Sequence, residues 1–244
     1  AAAAVTTPAV AVAPAVPTAT AGEAAQAARA VHRDSAGLHR ELCQIGSDTS
    51  VYARNKQVAT EQAQTVVPHC PQWTVKDCLA HMIGVPEDVI NGQMEGVASE
   101  AWTNRQVQRH AEDSVSDLLS IWETNAPVFA RILPNIPQPV ISQFMFDQTT
   151  HEHDIRRAVS QPGARDTLAV AVAEGFIRNS LAQNGDPAIA ELANHKLTGF
   201  EYLRSLSGRR SPAQISKNGF DIETVEAFIR TMPFDIPESD VSDD

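Results

Sequence analysis

Between Phe146 and Arg157 the chain reads Phe-Asp-Gln-Thr-Thr-His-Glu-His-Asp-Ile-Arg-Arg, and within it Asp147 and His151 stand four positions apart. On a helix that spacing stacks a carboxylate above an imidazole on one face, where both can grip a single divalent ion. A third ligand stands upstream: His81 lies about two turns into the helix that the Thr74-Val75-Lys76-Asp77 stretch begins. Together His81, Asp147 and His151 would make a three-ligand centre for zinc or a similar divalent metal. Its open coordination position suits a thiol or water that the cation would deprotonate. Spacing alone leaves another outcome open, in which Asp147 and His151 are an exposed pair and His81 is a satisfied core histidine.

The neighbouring polar residues are weaker candidates. His151 and His153 point about 200° apart on a helix and cannot share an ion there, so His153 reads as an outer or surface group. Glu152 and Asp154 read as helix-surface charges. His69-Cys70 with Cys78 and His81 matches no common structural zinc spacing, and both cysteines read as packing residues. Arg209 and Arg210, within Ser207-Gly208-Arg209-Arg210-Ser211, carry guanidinium donors suited to a substrate or cofactor carboxylate. On spacing alone the same turn reads as solvated.

The elements that must position these groups are helical. Thr74 and Asp77 form a capping box for a helix carrying Leu79, His81, Met82 and Ile83, which Pro86 is expected to kink or end. Apolar periodicity predicts helices over 22–45 and 51–66, over 113–133 with a bend at Pro127, and over 140–160, stopping before Pro162-Gly163. Beyond Gly163 an amphipathic helix is predicted over 167–181, a short apolar segment over 186–193, a mixed segment over 197–207 and a last helix over 222–232. Pro68 and Pro71 mark a loop. The expected organisation is a flexible Ala/Pro-rich tail at 1–21, a helical bundle at 22–163, a smaller C-terminal domain at 164–236, α or α/β, and an acidic tail at 237–244.

Composition narrows the partners. The 244 residues are 43% hydrophobic and 20% charged, with a net charge of −11. That balance, without a basic stripe, excludes nucleic acid as the main partner and favours a small electrophilic or anionic substrate. No apolar run is long enough for a membrane span, and residues 1–20 lack the basic start and unbroken apolar core of a secretory signal. Cys43, Cys70 and Cys78 are an odd number at irregular spacing and read as reduced thiols, so a cytoplasmic protein is expected. It would be a monomer or homodimer, with docking through the N-terminal tail as an option.

Three segments taken together resemble a known family. Cys70-Pro71-Gln72-Trp73-Thr74-Val75-Lys76-Asp77-Cys78-Leu79-Ala80-His81 is similar to the CPGWTVRDLLAH signature of mycothiol-dependent maleylpyruvate isomerase-like proteins, DinB-like metalloenzymes of actinobacteria. Residues 146–159 resemble that family's hEhDiRrAlg helix, and Phe200 to Ser211 its FElLRALsGRRS segment. The resemblance implies a mainly α protein, a DinB-like four-helix bundle followed by a smaller C-terminal domain. It also implies a divalent metal, commonly zinc, on His81, Asp147 and His151, and mycothiol as the thiol cofactor. The implied activity is thiol transfer to an electrophile or cis–trans isomerisation of a small unsaturated acid. The rivals are a non-catalytic binding or scaffold protein that keeps the bundle, and a metal-dependent hydrolase that uses water in place of the thiol.

Overall fold

In the computed structural model the described residues are 62–243. The expected tail 1–21, the helix 22–45, residues 51–61 of the segment 51–66 and Cys43 lie outside them. The chain is mainly α. The sole sheet among the described residues is a short antiparallel hairpin, β1 (Val66–Val67) against β2 (Cys70–Thr74), with Val67 opposite Cys70. It replaces the loop expected from Pro68 and Pro71; a two-stranded ribbon is all edge, where a proline costs no required ladder bond.

Thr74 ends β2 and caps α1 (Val75–Asn91), with the reciprocal Thr74–Asp77 capping box that the spacing predicts. The helix does not end at Pro86. It continues for another turn and stops at Gly92, whose φ of 68° supplies a left-handed cap. Pro86 is itself buried in a stretch where nearly every residue from Cys78 onward is buried, so packing outweighs the one backbone donor lost. A helix with no counterpart in the sequence reading follows, α2 (Glu100–Arg109), capped by Ser99. Trp102 and Gln106 are its only buried residues, too few to write an apolar period.

Helix α3 (Val115–Ile132) starts at a Ser114–Asp117 capping box, contains Pro127, and leads through a 3₁₀ turn at Leu133–Asn135 into α4 (Gln138–Ala158). Helix α5 (Leu168–Ala182) is capped by Thr167 and packs along α4. Short helices complete the fold: α6 (Pro187–Glu191), α7 (Gly199–Ser205), α8 (Pro212–Lys217) and α9 (Ile222–Ile229).

Helix α4 is the hub. Ile155 joins Val67, Cys78, Leu79, Met82 and Leu118 under the hairpin. Ile141 and Met145 pack with Phe129, Leu133, Ala169 and Val172. Phe146 enters the cluster that includes Ile177, Tyr202, Leu206 and Phe228. A helix surrounded in this way buries its polar residues too: Gln148 through Asp154 are all buried. The charged ones among them must therefore find partners inside the protein.

Candidate metal centre

Helices α1 and α4 cross so that the three ligand candidates converge. One ligand atom each from His81, Asp147 and His151 lies within 4.8 Å of the others. His81 Nε2 is 3.2 Å from Asp147 Oδ1, and His151 Nε2 is 3.8 Å from the same oxygen. Zinc bonds of about 2.0–2.1 Å in a tetrahedron put neighbouring donors roughly 3.3 Å apart, so these separations need only small side-chain adjustments to embrace an ion. Two imidazoles and a carboxylate are also an appropriate donor set for it.

The rings are held from outside. His81 is 3% exposed, and its Nδ1 lies 2.7 Å from Gln106 Oε1, so the amide oxygen accepts from Nδ1–H and leaves Nε2 for the site. Gln106, fully buried, donates through Nε2 to Asp88 Oδ2 at 2.7 Å, and Arg109 donates to Asp88 Oδ1 at 2.5 Å. A Cβ added at Gly84 would come within 2.5 Å of Gln106 Cβ, so glycine is what lets α2 approach α1 this closely. On the other ring, His151 Nδ1 faces Asp154 Oδ2 at 3.2 Å. Trp73, from β2, lies against both rings, 5.2 Å from His81 and 5.4 Å from His151 by ring centroids.

Electrostatics follow from these contacts. Burial opposes charge on His81, but Asp147 and the Gln106 hydrogen bond outweigh it and raise its pKa. Burial also disfavours the Asp147 anion, yet His81 holds its carboxyl down at about 2. His151 shifts the other way: burial lowers its pKa and keeps the ring neutral, the state in which a lone pair is free to ligate.

Several sequence expectations for the surroundings require correction. Asp154 and Glu152 are not helix-surface charges; Asp154 is 0% exposed and Glu152 is buried. Asp154 accepts from Arg204 Nη1 at 2.8 Å on one oxygen and from Arg209 Nη2 at 2.8 Å on the other. These two guanidiniums hold its carboxyl well below the usual range against the effect of burial. His153 points away from the triad and packs edge-on against Phe200 at 4.6 Å, where burial takes its pKa down to about 3. The Ser207–Ser211 turn is not solvated either: Arg209 and Arg210 are both buried. Arg209 meets Asp154, and Arg210 meets Glu201 at 2.7 Å and Asp243 at 2.7 Å. Neither arginine touches the triad; Arg209 reaches it through Asp154 and His151.

Cys78 is fully buried, as a packing residue should be. Cys70 has more company than that expectation gave it, with Asp154 Oδ2 at 3.6 Å and Arg209 Nη2 at 3.2 Å from its sulfur. Cys70, His151 and Asp154 would form a second group within metal-binding reach. Burial pushes the Cys70 thiol up to about 11, and Asp154 is already neutralised by two arginines, so this group is poorly suited to a cation. Gln106 had no sequence signal. Arg204 and Asp154 lie inside the motifs quoted above, and only their burial shows their partnership.

Among the described residues no helix is long and apolar enough to cross a membrane. Residues 47–198, more than half of the chain, match the family model of the mycothiol maleylpyruvate isomerase N-terminal domain. No curated protein and no solved structure matches the chain.

Proposed function

Since the chain belongs to the mycothiol maleylpyruvate isomerase N-terminal domain family, we propose that it is a metal-dependent, mycothiol-using enzyme of small electrophiles, with His81, Asp147 and His151 as the metal ligands. One observation carries this reading: a carboxylate and two imidazoles from α1 and α4 converge within 4.8 Å, and their hydrogen-bond and ion-pair partners among the described residues include no arginine or lysine. When bound, the metal and thiol together would supply a thiolate at neutral pH, able to add to an unsaturated or otherwise electrophilic carbon for transfer or cis–trans isomerisation.

The chain's own residues do the rest. His81 and His151 would present Nε2 to the ion, His81 fixed in tautomer and direction by its hydrogen bond with Gln106, and His151 with its Nδ1 facing the Asp154 carboxylate at 3.2 Å. Asp147 would contribute the one negative charge. The proton shared by His81 and Asp147 would leave as the ion arrives, which makes affinity pH-dependent. Trp73 would wall the two rings from water. Arg209, through its grip on Asp154, positions His151, and Arg210 is the better placed of the two to anchor a carboxylate of substrate or cofactor. The division into a bundle at 22–163 and a smaller domain at 164–236 belongs to the same proposal.

Metal analysis of protein purified without a chelator or affinity tag, with His151→Ala beside it, tests the assignment. About one zinc or similar ion per chain, lost in the variant, is expected, followed by a sulfur-to-metal charge-transfer band when mycothiol is added to cobalt-loaded protein. A wild type that is metal-free and resists reloading would rule the enzyme out and leave a bundle kept for binding.

A further inference from the structure

The last described residues of the chain are almost wholly exposed or half-buried, with one exception. From Pro237 to Ser242 none is buried, and then Asp243 is, at 7% exposure. Its carboxylate enters a pocket of cations: Oδ1 lies 2.8 Å from Arg204 Nη2, and Oδ2 lies 2.7 Å from Arg210 Nη1 and 3.3 Å from Arg204 Nε. Further polar contacts hold the segment. Arg165 donates to the Asp243 carbonyl at 2.8 Å, Gln214 donates to the Val241 carbonyl at 3.1 Å, and Ser211 bonds Asp240. An exposed segment that inserts a single carboxylate between two guanidiniums is bound as a ligand would be.

The charges explain why something must sit there. Arg204, Arg209 and Arg210 face three carboxylates, Asp154, Glu201 and Asp243. Without Asp243, three buried cations would face two anions. A second observation is the buried ring of His69, 0% exposed at its side chain, whose two nitrogens have no hydrogen-bond partner among the described residues. Its Nε2 looks toward Asp243 Oδ1 from 3.6 Å, a donor or acceptor waiting on whatever occupies the pocket. Beside the carboxylate a cavity of about 310 Å³ opens, with Arg165, Glu201, Arg210 and Lys217 on its body side and Val241, Ser242 and Asp243 on its segment side.

We propose that Arg204, Arg210 and His69 form a binding site for small organic carboxylates, that Asp243 is its resident ligand, and that the segment carrying Asp243 is a latch which a free carboxylate displaces into solvent. Displacement exchanges one carboxylate for another and breaks no covalent bond. The cavity gives an incoming acid room for substituents that Asp243 does not have. Because the resident carboxylate is tethered, it acts at a high effective concentration, and a free acid competes weakly until the tether is cut or the carboxylate is removed. The site stands on the ionic network alone and requires neither metal nor thiol.

Thermal unfolding of Asp243→Ala in acetate, against equal ionic strength of sodium chloride, tests it. The variant should melt several degrees below wild type, and roughly 100 mM acetate should recover about 3–5 °C if the site's dissociation constant is on the order of 10 mM. Wild type, and Asp243→Ala combined with Arg210→Gln, should respond alike to the two salts. A variant as stable as wild type, or equal responses of Asp243→Ala to acetate and chloride, would overturn the proposal. Should Asp243→Ala not fold, the near-isosteric Asp243→Asn takes its place with the same criteria. None of these readouts depends on metal content, so the result stands apart from the fate of the triad.

Discussion

Helix α4 carries two clusters of ionisable side chains about two turns apart, and they differ in how their charges are balanced. At Asp147 and His151 the helix meets His81, and the set offers one carboxylate and two imidazoles without a guanidinium. At Asp154 it meets Arg204 and Arg209, and the balance closes with Arg210, Glu201 and Asp243. The second cluster is balanced only with Asp243 seated in it: its anions and cations then pair at 2.7–2.8 Å. The first supplies lone pairs in search of a cation. Burial alone does not distinguish a metal site from an ionic clasp; the surplus of lone-pair donors over charge partners does. Asp154 serves both, because it faces His151 while its two oxygens are held by arginines.

The sharpest way to break this contrast is Asp154→Ala. Removing it leaves Arg204 and Arg209 buried with too few anions, a loss of about 3–5 kcal/mol, visible as a large drop in the thermal midpoint. A loss under about 1 kcal/mol would mean that the clasp is not what fixes this end of α4.

Acid should separate the two clusters next. His69 in the clasp is held neutral, its pKa lowered to about 4 by burial and then by Arg204. The unfolded chain binds that proton at about 6.5, so stability falls as pH drops from 6.5 towards 4, by an amount on the order of 3 kcal/mol. In His69→Gln that part of the slope should vanish in pH-dependent denaturant titrations. His81 in the triad has the opposite sign: its pKa is raised, so in metal-free protein its stabilisation is complete below about 6.5 and is lost as pH rises through the folded value.

At the triad, His151→Ala should lower metal affinity by more than the roughly 10–100-fold that loss of an outer partner costs, read by chelator competition, while circular dichroism stays helical. The smallest effect is expected for Gln106→Leu. It removes the acceptor behind His81 Nδ1 and should weaken metal binding about 10–100-fold, with helicity retained. An affinity unchanged in Gln106→Leu would show that the Nε2 direction of His81 is set by Trp73 and packing instead.

How much was legible follows from where the information lies. The Thr74–Asp77 box, the helix that carries Asp147 and His151, and the periodic runs behind α3 and α5 are local patterns within a few residues. Sequence alone therefore determined that the chain is mainly α, which two helices present the three candidate ligands, and which family it belongs to. It misplaced what depends on long-range neighbours. Pro86 stays helical because its surroundings are packed, and α2 is nearly invisible because it buries little beyond Trp102 and Gln106. Asp154 and Arg209 read as solvated because charged residues on a helix and in a turn usually are, and they become a clasp only when 55 positions of chain fold back between them. Asp243 belongs to a segment that composition describes as an acidic tail, yet it is buried 39 residues from its partner Arg204. Local propensity and periodicity select helices from short-range chain geometry, but the burial of a charge is decided by partners from distant segments, and those meet only in the tertiary structure.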